Sequence, residues 1–235
     1  MTILYRDPQP PKAVLFDWDS TLVDNWVSIQ SALNTVFAAR GMPLWSREQV
    51  IAEATNSQRD KFPKLFGADW QDARDLFVAH LETHHLDSLQ TLEGAESLLQ
   101  TLQDQGIPTA VVSNKSGAFL RRECTHLGWD PYFRTVLGAA DAVRDKPAPD
   151  PVFLALSKMN LAAGDHIWFV GDTDVDMACA HAAGCYAILV RPHPPRTGEF
   201  DAAPVACYVN SRWELASLLG RIARGAPAAP YGGGR

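Results

Sequence analysis

Lys12 to Asp24 reads KAVLFDWDSTLVD, a run of apolar residues that ends abruptly on two carboxylates one residue apart. Ala13 to Phe16 has the length and unbroken apolar character of a strand buried on both faces. In open α/β sheets the reacting groups sit just beyond the carboxyl ends of such strands, and Asp17 and Asp19 fall there. Two anions so close repel, so the pair makes sense if a cation or a shared proton joins them, and hard divalent cations such as Mg²⁺ take oxygen ligands. A DxD standing alone reads more simply as a polar turn entering a helix cap, so the rest of the chain has to decide.

Working outward, helices and strands alternate from Gly94 onward. Ala95, Leu98, Leu99 and Leu102 mark a helix stopped by Gly106, and Pro108 leads into the apolar Ala110, Val111 and Val112. The alternation repeats with a helix near 117–127, a short strand near 135–137, a helix over 151–159, a strand over 167–170, a helix to Ala183, a strand over 186–190 and a last helix near 212–222. This order predicts an α/β fold, a Rossmann-like parallel sheet core with helices on both faces.

Residues 25–90 carry only helical signals. Trp26, Ile29, Leu33, Val36 and Phe37 recur at helical spacing until Gly41 and Pro43. A second helix is expected over 47–54, Phe62, Leu65 and Phe66 precede Gly67, and Leu76, Phe77 and Leu81 share a face over 70–84. An all-helical domain at 25–90 is thus expected as an insertion directly after the first strand, with 12–24 and 91–224 forming the α/β core domain. Residues 1–11, which include Pro8, Pro10 and Pro11, read as a loose lead-in, and GAPAAPYGGGR at 225–235 reads as a disordered tail.

The chain has 235 residues, 46% of them hydrophobic and 20% charged, enough for a substantial core. Its net charge of −6 provides no basic field to hold nucleic acid or an anionic membrane, so the expected partner is small. The four cysteines show no CxxC spacing and no neighbouring His, and they read as reduced thiols in a cytoplasmic protein. No apolar run reaches transmembrane length. A monomer or homodimer is expected.

Three later strands also end in polar residues. Ser113 and Asn114 follow Val111 and Val112, where a following helix N-terminus adds donors for an anion, although taken singly they read better as a Ser/Asn turn. Lys146 lies in a loop held by Pro147 and Pro149, with Asp150 placed as N-cap and Pro151 as first helical residue; a solvated lysine is the alternative. Trp168, Phe169 and Val170 run into Gly171, Asp172, Thr173, Asp174, Val175 and Asp176, a cluster of carboxylates that costs stability unless something neutralises it. Asp174 suits a helix cap, whereas Asp172 and Asp176 stand four apart and point to one shared ion.

With these four elements in this order, the chain resembles the haloacid dehalogenase-like hydrolase superfamily. The family's first motif stands as Asp17-Trp18-Asp19-Ser20-Thr21, its second as Ser113, its third as Lys146 and its fourth as Gly171-Asp172 with Asp176. The match runs from about Lys12 to Val190, and the helical insert resembles the cap of the phosphoglycolate phosphatase-like subgroup. The KPAPDP run from Lys146 to Pro151 looks most like the phosphatases.

The resemblance implies a Mg²⁺-dependent phosphatase acting on a small phosphorylated metabolite, phosphoglycolate-like, through an aspartyl-phosphate. Asp17 is then the nucleophile, Asp19 the general acid and base, and Thr21 a support for Asp19. Mg²⁺ falls to Asp17, Asp172 and the backbone carbonyl of Asp19, with Asp176 supporting its shell. Ser113, Asn114 and Lys146 hold the phosphoryl oxygens, and Lys146 also restrains Asp17. An acidic residue at 19 favours phosphoryl transfer over dehalogenation and phosphonate cleavage. A sugar-phosphate mutase of the same family, or a binding protein retaining the fold, are the alternatives. Specificity falls to the insert's polar run from Asn56 to Lys61, where Arg59 is the candidate for a substrate carboxylate or phosphate, a solvated arginine being the alternative. His84 and His85 are expected to cap a helix, His181 to be packed, and Trp18 to line an entrance.

Overall fold

The computed structural model describes residues 8–53 and 57–224. The expected tail, most of the lead-in and Asn56 lie outside them. The described residues form β1 (Ala13–Phe16), β2 (Val23–Asp24), α1 (Trp26–Ala39), α2 (Arg47–Glu53), α3 (Gln58–Phe66), α4 (Trp70–His84), β3 (Gln90–Thr91), α5 (Ala95–Asp104), β4 (Thr109–Ser116), α6 (Gly117–His126), β5 (Phe133–Ala139), α7 (Asp150–Lys158), β6 (Ile167–Gly171), α8 (Asp174–Ala183), β7 (Tyr186–Val190), β8 (Cys207–Val209) and α9 (Arg212–Ala223). Six strands make a parallel sheet in the order β5-β4-β1-β6-β7-β8, and β2 pairs antiparallel with β3 in a separate ribbon.

The apolar run at 13–16 is continuous because β1 is central and covered twice. Val14 and Phe16 point into a cluster with Leu98, Leu99, Leu120 and Leu215, from α5, α6 and α9. Ala13 and Leu15 point the other way, toward Val152, Leu156, Met177 and Ala180 of α7 and α8. Successive strand residues face opposite sides, so a strand with a core on each face has no room for a polar position. The register matters for function. Phe16 is level with Val111 on one side and Val170 on the other, and the Asp17 amide donates to the Val170 carbonyl at 2.9 Å. The residues that follow β1, Val112 and Val170 therefore emerge together at one edge.

The four helices between β2 and β3 enclose their own apolar cluster, in which Leu33, Val36 and Phe37 of α1 meet Phe62 of α3 and Phe77 and Leu81 of α4. Phe119, on α6 of the core, completes it. Among the described residues no helix is long and apolar enough to cross a membrane. The four cysteines are free thiols.

Several expectations are corrected. β8 and the β2–β3 ribbon have no counterpart in the sequence reading, because two or three residues are too few to show a period. Asp150 does not cap α7; it is the first helical residue behind Pro149, and its carboxylate takes two hydrogen bonds from Arg144. His181 lies exposed on α8 rather than packed. Trp18 lines no entrance: it is fully buried against Trp129 in an edge-to-face contact, 5.7 Å between ring centroids.

Candidate active site

Asp17, at the end of β1, is nearly buried, and its Oδ1 receives a hydrogen bond of 2.6 Å from Lys146. The same ammonium donates to Asp176 Oδ1 at 2.7 Å. Burial alone would strip Lys146 of its charge, but Asp17 and Asp176 together outweigh that effect and raise its pKa. For Asp17 burial wins: with Asp176 adding to it, its pKa is raised to about 7 despite Lys146. Asp172 is pushed well above the ordinary carboxylate range by burial, then by Asp176 and Asp17.

The fourth stretch folds as a strand feeding a capped helix. The Thr173 hydroxyl caps α8, and Asp176 Oδ2 in return accepts from the Thr173 amide at 3.0 Å, the Thr173 hydroxyl at 2.6 Å and the Asp172 amide at 3.2 Å. Gly171 is glycine because a Cβ there would lie 2.4 Å from Cβ of Asp176. This capping box swings Asp176 back under the strand end, so that Asp17, Asp172 and Asp176 offer carboxylate oxygens within 4.8 Å of one another. Three carboxylates facing one lysine, two of them buried and Asp172 partly so, leave an excess of negative charge. An all-oxygen donor set with that excess fits a hard divalent cation such as Mg²⁺.

Ser113 and Asn114 also stand at this edge. The Ser113 hydroxyl accepts from the Lys115 amide at 3.2 Å where the register of β4 shifts, and the Asn114 side chain donates to the Lys146 carbonyl at 3.0 Å, bracing the lysine loop. Thr21 does not hold Asp19 as expected. Its hydroxyl donates to Asp172 Oδ1 at 3.2 Å instead, linking the first stretch to the fourth.

Asp19 has a different partner, Lys115, whose Nζ lies 2.9 Å from Oδ1 and 3.2 Å from Oδ2. Each of the paired aspartates thus has its own lysine. Lys115 went unnoticed in the sequence, as did Glu123, which is completely buried and lies 3.0 Å from the same ammonium. A signal existed: Glu123 follows Phe119 and Leu120 at helical spacing, which puts a carboxylate on the core face of α6. Arg212 was missed too. It is buried at the start of α9 and donates to the carbonyls of Thr21, at 2.8 Å, and Ser20.

A cavity of about 130 Å³ opens over these groups. Asp17, Asp19, Ser113, Lys115, Lys146 and Asp172 line its floor, and the helical insert supplies the other wall with Trp26, Trp45, Gln58, Lys61 and Phe62. Arg59 is not in that wall. Its guanidinium turns to the 143–145 loop, 3.0 Å from Asp145 Oδ1 and 3.3 Å from the Val143 carbonyl, because α3 presents alternate faces to the cavity and to that loop. Lys61 faces the cavity in its place, 5.5 Å above the Trp45 ring and 3.2 Å from Glu53, with burial lowering its pKa. His84 pairs with Asp87, and His85 is buried with Nδ1 on the Leu81 carbonyl, so neither reaches the site.

The sequence model for haloacid dehalogenase-like hydrolases matches residues 14–190. The chain belongs to that family. It is 30% identical over 182 residues to a phosphoglycolate phosphatase of Photorhabdus laumondii, covering 74% of this chain and 77% of the relative. A HAD-superfamily hydrolase from Ehrlichia chaffeensis superimposes with a TM-score of 0.64 at 27% identity, covering 92% of this chain and 98% of that one. A haloacid dehalogenase-like family protein from Streptococcus pneumoniae shares the fold with a TM-score of 0.77 at 18% identity, covering 88% and 97%.

Proposed function

We propose that the chain is a Mg²⁺-dependent phosphoric monoester hydrolase that acts on a small phosphorylated metabolite through an aspartyl-phosphate on Asp17, with residues 25–90 as the cap over the site. The observation that carries this reading is the set of Asp17, Asp172 and Asp176 oxygens within 4.8 Å, beside Lys146 and an acidic residue at 19. The Photorhabdus relative named a phosphoglycolate phosphatase supports the substrate class, and phosphoglycolate is the first substrate to try.

Asp17 Oδ attacks phosphorus, and the bond to the ester oxygen breaks. Asp19 delivers a proton to that departing oxygen, then removes one from the water that attacks the phosphoenzyme and returns Asp17. Lys146 holds Asp17 in line and, with Ser113, balances charge on the transferring group. Asp17 and Asp172 would hold Mg²⁺, with Asp176 behind them; the ion, when bound, offsets the repulsion between an anionic nucleophile and an anionic ester. The cap supplies the wall that meets the leaving group, with Lys61 rather than Arg59 as its cation.

The test is a screen of phosphorylated metabolites, phosphoglycolate and p-nitrophenyl phosphate among them, with Mg²⁺ and with EDTA. Phosphate release that needs the metal is the expected result. Release unaffected by EDTA would remove the metal from the reading, and inertness toward every ester would remove the hydrolase.

A further inference from the structure

Asn25 stands where the chain leaves the β2–β3 ribbon for α1, and His85 stands just past the end of α4 on the way back. The Asn25 side-chain amide donates to the His85 carbonyl at 2.7 Å, clasping the two crossings together. Ser28 adds to the clasp, with its hydroxyl 3.0 Å from the His84 carbonyl and 2.7 Å from the Ser88 hydroxyl. The same Asn25 amide donates to Glu123 Oε1 at 2.8 Å, and Glu123 Oε2 accepts from Trp18 Nε1 at 2.7 Å. Glu123 in turn pairs with Lys115, and Lys115 holds both oxygens of Asp19. A continuous run of short polar contacts therefore connects the hinge of the helical insert to Asp19.

A buried ion pair contributes little net stability compared with apolar residues of the same volume, because desolvation cancels most of the attraction. Stability alone gives no reason to place a lysine and a glutamate here, among Trp18, Leu120 and Phe119. Their arrangement has a directional result. Lys115 fixes where the Asp19 carboxylate points, Glu123 fixes Lys115, and Trp18 and Asn25 fix Glu123 from two sides.

We propose that Lys115 is a positioning residue for Asp19 and that Glu123 and Asn25 tie this position to the cap hinge, so that cap placement and proton delivery to the leaving group are coupled. The inference rests on the phosphatase reading above. Such coupling needs a contiguous physical link between the two ends, and the contacts from the hinge clasp to the Asp19 carboxylate form one.

The experiment compares wild type with Lys115→Met, Glu123→Gln and Asn25→Ala on phenyl phosphate and p-nitrophenyl phosphate, two esters of similar shape whose leaving groups differ in their need for a proton. Lys115→Met is expected to lower kcat on phenyl phosphate on the order of 10²-fold, with a much smaller loss on p-nitrophenyl phosphate and little change in KM. Glu123→Gln and Asn25→Ala are expected to show the same split at smaller size. Adding Asn25→Ala to Lys115→Met should cost nothing further, since its effect runs through the lysine. Equal losses on both esters would reduce Lys115 to a structural residue, and an additive Asn25 effect would break the link to the hinge. Should Lys115→Met fail to fold, the other two variants carry the same comparison. A wild type active on both esters with no split in the variants overturns this inference alone; a wild type inert on both overturns the phosphatase reading and this inference with it.

Discussion

Lys146 Nζ lies 2.6 Å from Asp17 Oδ1, although 129 residues separate the two in the chain. The contact places an ammonium against the carboxylate that must approach phosphorus, and it leaves the second Asp17 oxygen clear of that lysine. Asp17→Asn keeps the shape and a hydrogen bond to Lys146 but supplies an amide, a far poorer nucleophile. Turnover should vanish while circular dichroism and thermal unfolding show a folded protein. Ordinary phosphate release from this variant would move the nucleophile elsewhere.

Asp19 serves both halves of the proposed reaction, and its removal should separate them. With Asp19→Ala, an alkyl phosphate should lose roughly 10²–10⁴-fold in rate, the usual worth of general acid–base assistance. A p-nitrophenyl ester needs less protonation, so about one equivalent of p-nitrophenol per site should appear in a burst before slow turnover, with phosphate trapped on Asp17. Uniform slowing with no trapped phosphoenzyme would confine Asp19 to a structural part.

Metal binding should depend on pH. Burial raises Asp17 from 3.8 to about 7, so across that window the folded chain keeps a proton that the unfolded chain has released. The sign follows: metal-free stability falls as pH rises through the window, and Mg²⁺, which needs the carboxylate, binds more tightly as pH rises through it. Titration calorimetry in two buffers of different ionisation enthalpy should show more proton release on binding at about pH 5.5 than at about pH 8. Affinity unchanged between those conditions would mean that Asp17 does not meet the metal. Ca²⁺ should bind and inhibit, because its larger and less regular shell misplaces the nucleophile.

Arg212→Met should destabilise the protein without removing any group that reacts. It leaves the carbonyls of Ser20 and Thr21 without their donor, at a cost of roughly 1–3 kcal/mol. For a chain of this size each ~1 kcal/mol lowers the unfolding midpoint by about 2–4 °C, which thermal denaturation resolves. An unchanged midpoint would show that α9 does not secure the loop after Asp19.

The sheet was legible because its strands are buried on both faces and their apolar runs are continuous; 13–16 and 186–190 match the observed strands without change. β8 was not, since three residues after a loop give no pattern. In the site, the residues that stand at strand ends were readable, because the sheet itself delivers Asp17, Ser113 and Asp172 to one edge. Partnerships were harder. Arg59 and Lys61 differ by two positions on one helix, and only the packing of α3 decides which of them faces the cavity. Thr21 and Asp19 are neighbours in sequence, yet the turn after β1 sends the hydroxyl to Asp172 and the carboxylate to Lys115. Local sequence names the groups, and long-range packing assigns their partners.

The β2–β3 ribbon has a consequence for how the helical block is anchored. Val23 is paired with Thr91 and Asp24 with Gln90, so the helical block leaves and re-enters the core through a doorway one strand pair wide. Both crossings thus pass one point of the core, and the Asn25 amide that donates to the His85 carbonyl closes it. The block is therefore not insulated from the strand edge: its packing reaches α6 through Asn25 on Glu123 and through Phe119, and it reaches the 143–145 loop through Arg59 on Asp145.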